Sequence, residues 1–475
     1  MAQADSSSFI DRTVRQARSA WQRIAGGEYD AEAASLRPDL PEDDADKIRK
    51  QMRECLESKG GEVSARAKAA ALGRVYMALD VGGRENFLRI LGHDFDVDHN
   101  AIRDCANDLT AFTDEAAIPE IEARLRPLLE APRIKLLTQF NGLPEGVKFL
   151  VDLRADLLPL TKYDAILKGL DNDLKGLLDR WFDVGFLELR RITWDSASAA
   201  LLEKLIAYEA VHAISDWNDL KNRLDSDRRC FAFFHLRMPE EPLIFVEVAL
   251  VNGLAGNVQD LLDPSAPVQD PRSADTAIFY SISNAQRGLA GISFGHFLIK
   301  RVVENLSAEF PGIKTYATLS PIPGFRAWLD HTISIGEKSL LSAAVHRTLN
   351  TLGGKGRGAK GALKQALAHP RWYEDADTVA ALKDPLMQLC ARYLTQEKRR
   401  GTIALDPVAH FHLTNGARME ALNWMGDRSE KGYAQSAGMM INYLYKMDRI
   451  ESNHEGYTSE GIVAASSSIR NLIKA

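Results

Sequence analysis

The chain has 475 residues, and at about 150 residues per domain that length implies two or three domains. Hydrophobic residues make up 45% and charged residues 26%, enough apolar material for a large core, which excludes intrinsic disorder and a disulfide-stapled minidomain. Lys and Arg number 59 against 65 Asp and Glu, so the net charge is −6 and a general nucleic-acid footprint is excluded.

Met1 to Ser6 lacks the basic-then-apolar order of a secretory signal, and Asp5 and Asp11 argue against a transit peptide. No apolar run approaches the roughly 18 residues of a membrane span, and Asn471 to Ala475 carries no peroxisomal address. Cys55, Cys105, Cys230 and Cys390 are widely separated, without the spacing of a metal or redox motif. The expectation is a cytoplasmic protein with reduced thiols and neither a membrane nor a nucleic-acid partner.

From Ser6 to about Leu187 the apolar residues recur at helical spacing. Phe9, Ile10, Val14, Ala17 and Trp21 form one stripe; Ile48, Met52 and Leu56 another; Ile121, Leu125, Leu128 and Leu129 a third; Ile166, Leu170, Leu174, Leu177 and Leu178 a fourth. Gly60-Gly61, Gly82-Gly83 and Leu143-Pro144 punctuate them, and no fixed period marks a solenoid. Residues 1–187 read as an all-helical domain suited to scaffolding or oligomerisation.

After Arg191 the texture changes, and residues 188–475 read as an α/β domain. β-rich runs cover Arg229–His235, Pro242–Val251, Ala277–Ser283 and Lys314–Leu319, with a helix predicted from Phe294 to about Phe310. The Gly-Gly-Lys-Gly-Arg-Gly-Ala-Lys-Gly stretch at 353–361 reads as a mobile loop.

Three constellations in this domain carry chemistry. Gln286-Arg-Gly-Leu-Ala-Gly291 lies between a strand and a helix, where glycines admit a close ligand and helix N–H groups favour a phosphate; a plain tight turn has the same form. Only Gly288 and Gly291 match a dinucleotide fingerprint, and no Ser or Thr follows the lysines of 353–361 as a Walker loop requires. In Leu319-Ser-Pro-Ile-Pro-Gly-Phe325 two prolines stiffen a turn that presents Ser320 at the edge of a sheet, although a structural turn with an incidental serine fits that segment equally. In Asp406-Pro-Val-Ala-His-Phe-His-Leu-Thr-Asn-Gly416 a strand would put His410 and His412 on one face. No third ligand stands at a metal-site spacing, so a single catalytic imidazole is favoured. Ala417, Ala421, Leu422 and Met425 then suggest a helix.

Taken in order, Phe279–Ser283, Gly288–Arg301, Leu319–Phe325, Phe411–Gly416, Asn423-Trp424-Met425 and Met440–Tyr445 resemble the malonyl-CoA decarboxylase family. The resemblance implies an N-terminal helical oligomerisation domain and a C-terminal domain of N-acetyltransferase-like (GNAT) α/β fold. It implies cleavage of malonyl-CoA to acetyl-CoA and CO2 with no cofactor, neither biotin nor metal, and a homotetramer built as a dimer of dimers. It places the catalytic serine at Ser320 and the catalytic histidine at His412. The Gln286–Gly291 loop is similar to the one that holds the CoA pyrophosphate, and Ala290, Gly291, Ile292, Ser293, Phe294, Gly295 and His296 would line the malonyl-CoA site beside Gln286 and Gly288. Some members carry an acid where this chain has Ser293, so no acidic role is carried over. Asn442, Tyr443 and Tyr445 stay outside the site, because core packing explains them equally well. The alternatives are a CoA-dependent acyltransferase of the same fold and a non-catalytic CoA-binding scaffold.

Overall fold

The computed structural model describes residues 17–18, 20–24, 36–57, 61–111, 116, 118–292, 297–335, 358–369, 371–399 and 401–474. By packing, the chain divides into two units, one of residues 1–188 with 234–243 and 284–294, the other of residues 189–233, 244–283 and 295–475.

The first unit is helical. Its helices are α1 (Glu42–Glu57), α2 (Gly61–Ala78), α3 (Val81–His93), α4 (His99–Ala111), α5 (Ile118–Leu128), α6 (Pro132–Asn141), α7 (Gly146–Leu157) and α8 (Ala165–Trp181). Of the predicted stripes, Trp21, Ile48, Met52, Ile121, Leu170, Leu174 and Leu178 are buried, whereas Leu129 and Ile166 are exposed. Trp21 organises one end, its ring 4.9 Å from Phe149 and its indole N–H donating to the Pro144 carbonyl at 2.6 Å. A Cβ on Gly73 would lie 2.0 Å from the Trp21 ring, so α2 has a notch where the indole sits. Phe9, Ile10 and Val14 lie outside the described residues.

Most of a mixed sheet lies in the second unit, with the strand residues 187–188, 234–235, 238–243 and 284 counted in the first. The sheet's strands are β1 (Leu187–Ile192), β2 (Arg228–His235), β3 (Met238–Val251), β4 (Thr276–Asn284), β5 (Thr315–Thr318), β6 (Ser320–Pro321), β9 (Arg418–Asn423) and β10 (Met440–Leu444), and a separate short hairpin joins β7 (Lys398–Arg399) to β8 (Ile403–Ala404). The order is β1-β2-β3-β4-β5-β10-β6, with β9 also on β10. β4 and β5 run parallel, while β10 is antiparallel to β5, β6 and β9. Every residue of β2 is buried, as expected for a continuous apolar run covered on both faces. An all-helical region followed by an α/β sheet region is the architecture the sequence implies.

Three local expectations are corrected, and a fourth is met over the described residues. Residues 407–414 form a helix, α11, not a strand, because Asp406 caps the N-terminus and Pro407 sits at its first position. Residues 418–423 form β9, not a helix, in register with β10. The helix predicted from Phe294 is described from Phe297 to Glu309 (α9), and Phe294 lies outside the described residues. Residues 358–361 open a helix, α10 (Gly358–Ala368), in place of the end of a loop; residues 353–357 are outside the described set.

Candidate active site

Ser320 and His412 meet although 92 residues separate them, Ser320 Oγ lying 3.0 Å from His412 Nε2. Ser320 opens β6, separated from the end of β5 by Leu319 alone, and pairs with Ile441 of β10, which fixes its backbone. His412 lies on α11 and is 2% exposed; Ser320 is 5% exposed. Ser320 Oγ–H donates to Thr318 Oγ1 at 2.8 Å, which leaves the serine–histidine contact to be donated by Nε2–H. Nδ1 of His412 then accepts from the Tyr445 hydroxyl at 2.8 Å. A donor chain therefore runs from Tyr445 through His412 and Ser320 to Thr318. His410, two residues earlier on the same helix, is rotated by about 200° and contacts Tyr457 through Nδ1 at 2.9 Å. The two histidines share no face, and among the described residues no group of three His, Cys, Asp or Glu is placed to hold a metal.

β10 supplies the surroundings of the dyad. Tyr443 stacks on the His412 ring at 4.4 Å between centroids, and its backbone N–H donates to Thr318 Oγ1 at 3.1 Å. Asn442 donates to the Thr318 carbonyl at 2.8 Å and to the Ala255 carbonyl at 3.0 Å. Asp406 ties the histidine helix to the turn after Ser320. Its Oδ1 accepts from the N–H groups of Val408 (3.0 Å) and Ala409 (2.9 Å). Its Oδ2 accepts from the Gly324 N–H (3.3 Å) and the Tyr393 hydroxyl (3.2 Å). Burial raises the Asp406 pKa, and these bonds oppose that shift.

The glycine loop belongs to the helical unit. Arg287–Leu289 makes a 3-10 turn in which Leu289 N–H, Ala290 N–H and Ile292 N–H bond back to Gln286, Arg287 and Leu289. These three loop amides are thus used inside the loop. Gln286 is buried and its side-chain amide donates to the Pro242 carbonyl at 3.0 Å. Gly291 has φ +74°, a left-handed conformation that glycine adopts without strain. Arg287, Ala290 and Gly291 are exposed while Gly288 and Ile292 are buried. Ser293, Phe294, Gly295 and His296 lie outside the described residues.

Family models for the malonyl-CoA decarboxylase C-terminal domain and N-terminal domain match residues 185–475 and 95–182. The chain belongs to the malonyl-CoA decarboxylase family. It is 38% identical over 426 residues to the mitochondrial malonyl-CoA decarboxylase of Anser anser anser, covering 86% of this chain and 84% of that one. The mitochondrial enzyme of Mus musculus is 37% identical over 406 residues, 82% of each chain. The crystal structure of malonyl-CoA decarboxylase from Rhodopseudomonas palustris superposes with a TM-score of 0.82 at 41% identity, covering 90% of this chain and 99% of that one.

In this member of the malonyl-CoA decarboxylase family, sequence reasoning missed the parts of Thr318 and Asp406, and it weighed Tyr443 and Tyr445 but left them out of the site. The signal for the two tyrosines is their spacing: positions 443 and 445 share a strand face, so one imidazole can touch both. The Tyr443 hydroxyl is buried without a partner among the described residues. An orphaned hydroxyl costs about 1–3 kcal/mol. Tyr443→Phe, which keeps the stacked ring, is therefore expected to hold or raise the melting temperature and to leave kcat within about twofold. A clear loss of activity in a stable variant would instead give the hydroxyl a part in the chemistry.

Burial holds the His412 imidazole at a pKa of about 3, far below its ordinary 6.5. Between those values the unfolded chain binds a proton that the folded chain does not. Its stabilising contribution is complete above pH 6.5 and is lost as the pH falls, by up to about 1.4 kcal/mol per pH unit. Burial also lowers the pKa of His212 and His235, so both add a loss of the same sign. Urea midpoints measured from pH 7 to pH 4 should fall, and His412→Gln should flatten the slope. An unchanged slope would contradict a neutral buried imidazole.

Proposed function

We propose that this chain is a carboxy-lyase that cleaves malonyl-CoA to acetyl-CoA and CO2, with Ser320 and His412 as its catalytic pair. The observation that carries this reading is the buried Tyr445–His412–Ser320–Thr318 hydrogen-bonded chain in a member of the malonyl-CoA decarboxylase family. On substrate binding the Ser320 hydroxyl turns from Thr318 Oγ1 and donates to the malonyl carboxylate or the thioester carbonyl, which orients it. The bond between the carboxylate carbon and the α-carbon breaks, its electron pair stays on the α-carbon as the enolate of acetyl-CoA, and CO2 leaves. The enolate needs one proton. His412 is neutral when alone, and a carboxylate brought against it raises its pKa. It therefore takes up a proton as the substrate binds and passes that proton to the α-carbon, with Tyr445 accepting from Nδ1–H. A backbone donor at the thioester oxygen would add about 2.7–4 kcal/mol. The thioester itself delocalises the carbanion, so neither biotin nor a metal is required.

The Gln286–Ile292 loop is assigned to the CoA pyrophosphate, supported by exposed Arg287 and by Lys175, whose Cε lies 3.9 Å from a Cβ built on Gly291. The assembly is proposed as a homotetramer, a dimer of dimers, which light scattering checks. The compartment is proposed as cytoplasmic on the four buried free thiols; the goose and mouse relatives are named mitochondrial, so fractionation decides.

The test is stoichiometric. Purified protein given malonyl-CoA should release CO2 and acetyl-CoA one to one without an added acceptor. No turnover despite CoA binding would leave the scaffold reading, and acetyl-CoA consumption only with an added amine would leave the acyltransferase.

A further inference from the structure

The glycine loop is held from behind by a residue 134 positions away. Arg154 on α7 is 2% exposed. Its Nη1 donates to the Gly288 carbonyl at 2.6 Å and to the Ala290 carbonyl at 2.9 Å. Its Nε donates to Asp171 Oδ1 on α8 at 2.7 Å. The loop lies close on α7: a Cβ on Gly288 would fall 1.7 Å from the Val151 carbonyl oxygen, so no side chain fits there. Arg154, Val151, Asp171 and the loop all belong to the helical unit.

In a trans peptide the N–H points opposite to the C=O. Fixing the Ala290 carbonyl on Arg154 therefore turns the Gly291 N–H away from α7, on the exposed stretch of the loop beside Lys175. A guanidinium does this better than an ammonium, because its planar fork reaches two carbonyls and a carboxylate in fixed directions. Its charge is matched by Asp171, so the clamp keeps its shape without drawing on the ligand.

We infer that Arg154 is a positioning residue for CoA thioester binding: it sets the backbone of the Gln286–Ile292 loop and aims the Gly291 N–H at the ligand's phosphates. The helical unit then takes part in substrate binding as well as assembly. The inference rests on the loop reading given above, and the experiment separates the two.

CoA affinity by titration calorimetry and malonyl-CoA kinetics are measured for Arg154→Lys, Asp171→Asn, Gly291→Val and Arg133→Lys. Arg133 is an equally buried arginine of the same unit, bonded to Asp173, Asp96 and the Gly92 carbonyl and not to the loop. Arg154→Lys should raise the CoA Kd and the malonyl-CoA KM about 10- to 100-fold, with kcat at saturation within about twofold. Asp171→Asn, which keeps both carbonyl bonds, should shift both in the same direction by less; it stands in for Arg154→Lys if that variant does not fold. Arg133→Lys should leave the Kd unchanged. If Gly291→Val weakens CoA binding and neither Arg154→Lys nor Asp171→Asn does, the clamp is refuted and the loop reading stands. If Gly291→Val and Arg154→Lys both leave the Kd unchanged, the loop reading falls and takes the inference with it. If Arg133→Lys weakens binding as much as Arg154→Lys, the effect is general to the helical unit and the assignment fails.

Discussion

Purified His412→Ala protein is expected to turn over malonyl-CoA about 10²–10⁴-fold more slowly than the parent while binding CoA equally well. That loss corresponds to about 2.7–5.5 kcal/mol of transition-state stabilisation. The expectation follows from the imidazole's place at the centre of the donor chain, 3.0 Å from Ser320 and 2.8 Å from Tyr445, with no second titratable group bonded to Ser320 among the described residues. The substitution leaves the Gln286–Ile292 loop untouched, so the deficit belongs in kcat. Ser320→Ala should fall in the same range, because it removes the hydroxyl proposed to orient the carboxylate, which also joins the imidazole to Thr318. Two groups that act as one unit are not additive. The double variant should therefore be about as slow as the slower single variant. Multiplying losses would mean two independent contributions and would dissolve the pair, and a His412→Ala enzyme at parental rate would end the assignment outright.

Much of this arrangement is legible in the sequence, for reasons that differ element by element. The short phenylalanine-rich run at 229–235 reads as a buried strand, and β2 occupies 228–235. The stiff Ser-Pro-Ile-Pro turn makes Ser320 a candidate but fits a structural turn equally, and the family resemblance is what singles it out. The alternation His410-Phe411-His412 mimics a strand, and it outweighs a helix start that Asp406-Pro407 spells out. Ala417, Ala421 and Met425 fall four apart by coincidence, while pairing with β10 makes residues 418–423 a strand; tertiary pairing overrides the local pattern. Other features have no local signal. Tyr445 is an aromatic among aromatics until α11 brings an imbalanced imidazole nitrogen against its hydroxyl. Arg154 is one more charged residue on an amphipathic helix, because its partners at 288 and 290 lie across the sequence.

Asp406→Ala should be among the most destabilising single substitutions in the sheet unit. The carboxylate accepts four hydrogen bonds while only 1% exposed. Losing the helix cap costs about 0.5–2 kcal/mol. The Gly324 N–H and the Tyr393 hydroxyl then lose a buried acceptor, at about 1–3 kcal/mol each. Together these put the expected loss at about 2.5–8 kcal/mol, most of which lies in the upper tail for point substitutions. No shift of the neighbouring backbone repairs it cheaply, since a Cβ at Gly324 would already lie 2.1 Å from the Tyr393 hydroxyl, a measure of how tightly this turn is filled. Activity should suffer beyond stability, because the same carboxylate joins the helix that carries His412 to the turn that follows Ser320. At a temperature where the variant is fully folded by circular dichroism, kcat should still be reduced while the CoA Kd is parental. Asp406→Asn, which retains an acceptor for the Val408 and Ala409 N–H groups, should recover most of the stability and less of the rate. Full activity in Asp406→Ala at a lowered melting temperature would show that the cap serves the fold alone, and that the Ser320–His412 distance is held by β10 without it.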